Sequence, residues 1–306
     1  MNKIKQNVKI EKRGKMAKNK MYKPTNDVIF KLIFGKAGNE KITKSLIEEI
    51  IQKKIPEITL NNKLDLPKQY PEEKQMIADV IAKDKNDRKY IIEMQRKNYS
   101  GIIKRFFSYG IDIYLADLKK MKKYNELKQT TVIVIMEEPL KVLNNINEYH
   151  TIIEFATKKH TEIEYEELIQ MHIIELKKYI KQRKTLGKKE LWLEFIINSK
   201  GREMEEMVRT QKELEEAVEQ LKKLNADEEV RRIAMAEEWA EIDRISQLSE
   251  ALQEGEMQGM AKGREEGKAE GKAEEKSKIA KKMLAQGIAI EIIETVTGLS
   301  KEQINS

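Results

Sequence analysis

No cysteine occurs in the 306 residues, which excludes a disulfide framework, thiolate-held zinc, iron–sulfur clusters and thiol nucleophiles. Histidine is almost as scarce: His150, His160 and His172 are too scattered along the chain to suggest a metal site. No run of about 18 apolar residues is present, so no membrane span is expected. The basic N-terminus lacks the apolar stretch of a signal peptide. A soluble, cytoplasmic protein is the expectation. Proline and aromatic residues run out toward one end, with no proline and only Trp239 beyond residue 200.

Charge is abundant, at 36% of residues, and unevenly shared. Residues 1–24 carry nine Lys/Arg against one Glu, a net +8, and residues 25–200 carry a net +7. Residues 201–306 hold 17 Lys/Arg against 25 Asp/Glu, a net −8. This asymmetry points to a polyanion-binding body with a tail that does something else. The division predicts a disordered basic arm over residues 1–20, a folded domain over 21–200, and a charged helical tail over 201–306. The arm is open to two readings: a nucleic-acid-binding extension, or a stretch ahead of a true start at Met16 or Met21.

Within the folded domain two periodicities alternate. Thr25-Asn26-Asp27 offers N-cap oxygens to a short helix that Gly35 would stop, and Glu40–Lys54 has its apolar residues at helical spacing up to Pro56. Strands are expected at Ile58–Leu64, Met76–Lys83 and Lys89–Gln95, with a turn at Lys85-Asn86-Asp87-Arg88. A helix over Gly101–Lys123 precedes Thr130–Met136, a continuous apolar run typical of a strand buried on both faces. Tyr149–Ala156 and Ile169–Leu176 read as strands, and Leu191–Ile197 as a helix. This order is that of an α/β fold.

The tail reads as two long charged helices, Glu203–Glu219 and Glu228–Leu252, followed by glycine at every fourth position from Gly255 to Gly271. Interior glycines and like charges spaced i,i+4 make that segment a poor helix on its own. Two roles fit: a row that lets a second chain approach closely, or a solvated linker. The last stretch has a helix-turn-helix layout with a capping box at Ser300-Lys301-Glu302-Gln303. It leaves too little chain after Ser300 for a free-standing major-groove reader, so a small docking element is expected.

The chemistry is expected at the hairpin. Alternation puts Glu93, Gln95 and Lys97 on one face of their strand, and Asp79 interrupts an otherwise apolar strand beside it. A buried carboxylate is costly unless paired or bound to a metal. Two carboxylates meeting across a hairpin beside an amide would form an oxygen-rich site suited to Mg²⁺. Register decides whether they meet. A two-residue Asn86-Asp87 turn opposes Asp79 to Met94, on the wrong face, whereas a three-residue loop opposes it to Glu93 or Gln95. Solvated surface carboxylates are the plain alternative.

TNDVIFKLIFG at 25–35, the hairpin with Asp79 and Glu93-Met94-Gln95, RFFSYGIDIYLADLKK at 105–120 with Tyr124, and IIELKKY at 173–179 together resemble the Rpn family. These are recombination-promoting nucleases, also described as transposases of the PD-(D/E)XK nuclease superfamily. The resemblance covers about residues 21–200, and the tail's EGKAEGKAEEK and terminal Gly298-Leu299-Ser300 are similar to many members too. It implies a restriction-endonuclease-like core, a central mixed sheet flanked by helices, followed here by the charged helical tail. It also implies hydrolysis of DNA phosphodiesters with Mg²⁺ or Mn²⁺. Asp79 and Glu93 would hold the metal with the Met94 carbonyl, and Asp27 would orient a ligand or a hydrated metal. Gln95 stands where lysine is usual, so it would orient water or phosphate without supplying charge. Lys97, about 6.6 Å on along the same face, and Lys31 are the candidate substitute lysines. Met121 departs from an expected glycine before Tyr124.

Lys104 and Arg105 are candidate phosphate contacts; ordinary helix-surface charge, or packing of Arg105 with Phe106, Phe107 and Tyr109, are the alternatives. The expected partner is DNA, with a homodimer formed through the C-terminal helices. A DNA-binding or regulatory protein on a catalytically degenerate nuclease fold is the competing reading, and an RNA nuclease a further one.

Overall fold

In the computed structural model, residues 20–60, 78–118, 123–160, 168–183, 187–197 and 211–305 are described. Asn26 opens the first helix as its position predicts: its side-chain oxygen accepts from the backbone N–H of Val28 and Ile29, both at 3.2 Å. Helix α1 (Asp27–Phe30) passes directly into a π-helical turn, Lys31–Gly35. Helix α2 (Glu40–Ile51) stops on Gln52 in the left-handed conformation, short of the predicted Lys54.

Six strands follow: β1 (Ile58–Leu60), β2 (Val80–Asp84), β3 (Lys89–Gln95), β4 (Thr130–Met136), β5 (His150–Ile153) and β6 (Ile169–Glu175). They form one mixed sheet in the order β1-β2-β3-β4-β6-β5. The pairs β1–β2, β2–β3 and β5–β6 are antiparallel, while β3–β4 and β4–β6 are parallel. The continuous apolar run marked β4 correctly, since all seven of its residues are buried between the two faces. The predicted strand over 76–83 begins outside the described residues, and β2 starts at Val80.

Helices cover both faces. On one, Ile92, Met94, Ile133 and Ile135 pack against Phe30, Phe34, Leu46 and Trp192. On the other, Ile91, Val132 and Val134 pack under helix α3 (Ile102–Leu115), which is shorter than the predicted span to Lys123. Met121 lies outside the described residues. Gly110 lets α3 lie close to the sheet: a Cβ there would come within 3.0 Å of Val132 and 3.1 Å of Ile169. Helices α4 (Leu176–Gln182), α5 (Lys188–Ile197) and α6 (Lys212–Ala226) follow β6.

The body does not stop near residue 200. Leu214, Ala217 and Leu221 of α6 are fully buried in the same core as Trp192. Asn225 is bonded to the backbone of Tyr22, donating to its carbonyl (3.0 Å) and accepting from its N–H (2.7 Å). The acidic surface of α6 hid this apolar stripe from a reading based on charge. One compact unit extends to Glu238 and a second begins at Trp239.

Helix α7 (Glu228–Ala285) runs unbroken through the glycine repeat, where the sequence predicts a poor helix. Opposite charges four apart lend it support, Lys262 to Glu266 (3.7 Å) and Glu274 to Lys278 (3.6 Å). Among the described residues, nothing beyond the helix's own neighbouring backbone and the adjoining residues lies within 4 Å of a Cβ built on any of the five repeat glycines. In the second unit, Ala280 packs with Ile293 of α8 (Ile290–Thr297) and Ile304 of α9 (Lys301–Asn305). The predicted capping box forms: the Ser300 N–H donates to Gln303 Oε1 (3.0 Å), and the Gln303 N–H donates to Ser300 Oγ (3.4 Å). Among the described residues no helix is long and apolar enough to cross a membrane.

Candidate active site

Hairpin register brings the two carboxylates together. The β2–β3 ladder pairs Val80 with Ile92 and Lys83 with Lys89, which places Asp79 opposite Glu93. Three residues, 85–87, form the loop, because the Asp84 N–H donates to the Arg88 carbonyl (3.0 Å). Asp87 takes the left-handed conformation (φ 64°) that a three-residue hairpin needs at its last loop position. Asp84 Oδ1 fastens the turn by accepting from the N–H of Asn86 (2.8 Å) and Arg88 (3.0 Å).

Each carboxylate accepts a backbone N–H from the opposite strand. The Asp79 N–H donates to Glu93 Oε1, and the Met94 N–H donates to Asp79 Oδ2, both at 3.0 Å. Lys31, from the π-helical turn, reaches Asp79 Oδ1 at 3.0 Å. A buried Glu93 thus faces a second carboxylate with one lysine in contact. Burial, and then the Asp79 charge, hold the Glu93 carboxyl well above the usual carboxylate range. Burial works against the Lys31 charge, but Asp79, Asp27 and Glu93 keep its ammonium above the ordinary lysine value.

Asp27 lies beside this pair without completing a metal-ligating trio. Among the described residues, no group of three or more His, Cys, Asp or Glu is placed to hold a metal. Asp27 was expected to orient a ligand or a hydrated metal, and its carboxylate is close enough to feel the Asp79 charge. Burial, then the charges of Asp79 and Glu237, push the Asp27 carboxyl up to about 7. Glu237 comes from α7, where it also accepts from Asn26 Nδ2 (2.8 Å). A tail residue beside the site was invisible to the sequence, which put the boundary near residue 200.

The third motif position differs from expectation. β3 ends at Gln95, so the alternation meant to carry Lys97 onto the Glu93 face does not extend that far. Lys97 contributes its backbone carbonyl, which accepts from Gln95 Nε2 (2.9 Å), while its side chain belongs to an exposed residue. The cation beside Gln95 is Arg105, whose guanidinium donates to Gln95 Oε1 (2.7 Å) and lies 3.9 Å from Glu93 Oε2. Lys104 is exposed on the same first turn of α3. No periodicity links Gln95 to Arg105, since a connection separates strand from helix. The aromatic residues around the arginine were the legible hint.

His150 and His172, distant in sequence, also meet: their Nε2 and Nδ1 atoms are 3.0 Å apart across β5 and β6. Burial lowers both, to about 4 and about 3, so the pair is neutral near pH 7.

Residues 24–251 match the family model for PD-(D/E)XK nuclease family transposases. Residues 273–306 match that of the Rpn/YhgA-like nuclease family, C-terminal HTH domain. No curated protein and no solved structure matches.

Proposed function

Since the chain belongs to the PD-(D/E)XK nuclease family transposases, we propose that it is a Mg²⁺-dependent endonuclease hydrolysing DNA phosphodiester bonds in recombination, mobile-element biology or defence. The observation that carries this reading is the register that sets Asp79 against Glu93. Their donor set fits a hard divalent ion: two carboxylates and a neighbouring backbone carbonyl, all oxygen. The strain of two adjacent carboxylates, one of them buried, is the kind that a dication relieves. Asp79 and Glu93, with the Met94 carbonyl, would hold the ion; Mn²⁺ suits the same donors. When bound, it polarises the scissile phosphate and lowers the pKa of water.

The chain's own groups do the rest. In hydrolysis a water oxygen bonds to phosphorus, the bond from phosphorus to the leaving ester oxygen breaks, and that oxygen gains a proton. Asp27, with its carboxyl near neutrality, can take the proton from water. Lys31 holds Asp79 Oδ1 in an ion pair at the edge of the site. Lys104 is free of burial and faces the solvent, where a flanking phosphate would meet it. The direct test offers the full chain supercoiled plasmid, linear duplex and RNA, with Mg²⁺, Mn²⁺ or a chelator. DNA cut only with a divalent ion is the expected result. Intact DNA under every condition, or cutting of RNA alone, would reject the reading.

The partner in solution is a second copy of the chain. Ile242, Ile245, Leu248 and Leu252 of α7 are 39–71% exposed, and helical spacing continues their stripe into Gly255 and Gly259. The helices would meet along this stripe, with the glycines permitting close approach. Sedimentation equilibrium should give a dimer mass for the wild type and a monomer mass for Leu248→Glu/Leu252→Glu. Equal masses would remove the stripe from the interface.

A further inference from the structure

Arg105 is held in a way that its phosphate-contact and packing readings do not separately explain. Its guanidinium plane is bracketed by aromatic rings, lying 5.3 Å from the ring centre of Tyr99, 4.8 Å from Phe106 and 5.6 Å from Tyr109. One terminal nitrogen is anchored to Gln95 Oε1, and the Gln95 amide is fixed at its other end by the Lys97 carbonyl. The anchoring is directional, because the Nε2 end of that amide can only donate and so must face the carbonyl. Nε of Arg105 is buried and makes no hydrogen bond, so the group keeps donor capacity that the fold does not use. The side chain is still 36% exposed, so a ligand can reach it.

We infer that Arg105 is the catalytic cation of this site, donating to a non-bridging oxygen of the scissile phosphate, and that Gln95 is the residue that positions it. The inference rests on the nuclease reading and assigns a role within it. Two carboxylates repel a phosphodiester, and charge gathering on its oxygens needs a fixed positive group nearby. A lysine at position 95 would put an ammonium against the guanidinium. A neutral acceptor there instead ties the guanidinium down beside Glu93. The cation has thereby moved from the strand to the first turn of α3, where Gly101, left-handed at φ 82°, begins the helix.

The test compares wild type, Arg105→Gln, Arg105→Lys, Gln95→Met and the exchange Arg105→Gln/Gln95→Lys. One readout is single-turnover cleavage in Mg²⁺. The other is duplex binding by fluorescence anisotropy across a salt series with chelator present. Arg105→Gln should slow cleavage about a hundredfold and reduce the salt slope of binding by about one. Arg105→Lys should keep the slope. Gln95→Met should keep the slope as well, while slowing cleavage roughly tenfold because the guanidinium loses its anchor. The exchange should recover at least roughly tenfold of the rate that Arg105→Gln lost, since it returns charge to the site without restoring the aromatic stacking. An exchange variant no faster than Arg105→Gln, or an Arg105→Gln protein with wild-type slope, overturns the assignment. A wild type that cuts nothing defeats the nuclease reading and the catalytic role with it, and the salt slope then tells only whether Arg105 meets a phosphate.

Discussion

Asp79→Ala and Glu93→Ala should each cut divalent-dependent DNA cleavage on the order of a thousandfold, while the ion-free protein gains stability from losing Glu93. The two outcomes have one cause. On the proposed reading Asp79 and Glu93 would share a cation, and without one the two carboxylates crowd each other in a buried place. Glu93→Gln keeps an acceptor for the Asp79 N–H and removes the charge. In chelator at pH 8 it should raise Tm by about 3 °C, the shift that roughly 1 kcal/mol makes in a domain of this size.

The sign follows from linkage. An acid whose folded pKa is raised binds protons more tightly when folded, so its stability contribution is lost as pH rises from the unfolded value to the folded one. For Asp27 that window runs from 3.8 to about 7. The Tm of the ion-free wild type should fall across it, and Asp27→Asn should flatten the fall. At pH 4 the Glu93→Gln advantage should shrink. Undiminished cleavage by either alanine variant would mean the centre lies elsewhere, and a lower Tm for Glu93→Gln at pH 8 would remove the charge crowding.

The largest stability effect should come from Asp117→Ala, at about 3–5 kcal/mol. Lys89 opens β3 with a side chain only 7% exposed, paired to Asp117 at 2.8 Å and donating to the Ile113 carbonyl at 3.1 Å. Removing the aspartate leaves a buried ammonium with only part of its partners. Lys89→Met/Asp117→Leu, which removes both charges, should recover most of the loss in a urea titration. Lys89 and Glu93 share β3, and Ile113 shares α3 with Arg105, so the pair also fixes the strand on which the carboxylate stands relative to the helix that brings the guanidinium. Asp117→Ala should therefore lower cleavage even below its unfolding temperature. A loss of stability under about 1 kcal/mol would place the pair in well-hydrated surroundings.

Periodicity was enough for the sheet and its buried central strand, because alternation and continuous apolar runs are local signals. β3 and β4 fall on the residues that their patterns marked, Lys89–Gln95 and Thr130–Met136. The Asp79–Glu93 meeting was legible only as a condition on the loop, since the residues do not fix whether two or three of them turn. What decided it was Asp87 accepting a left-handed backbone, with Asp84 taking the amides of the turn. Lys31 was named for the site through the family resemblance, but contacts with no such guide stayed out of reach: Glu237 beside Asp27, and the neutral histidine pair. Lys97 falls past the end of its strand, so alternation does not fix the face that it shares. The length of the body was misjudged because α6 reads as charged while burying one side.

The three-residue loop has a consequence for descent. A strand's side chains alternate, so with Asp84 clamping the turn, losing a single codon between Asp79 and Asp84 would carry Asp79 from opposite Glu93 to opposite Ile92. Every residue of the motif would survive in the gene and still be found by a motif search, yet the two carboxylates would point to opposite faces of the sheet. Inactive lineages can thus arise by a small deletion that leaves all the diagnostic residues intact. The spacing of each carboxylate from the turn, more than motif presence, is the character to compare when sorting such chains into working and silent forms.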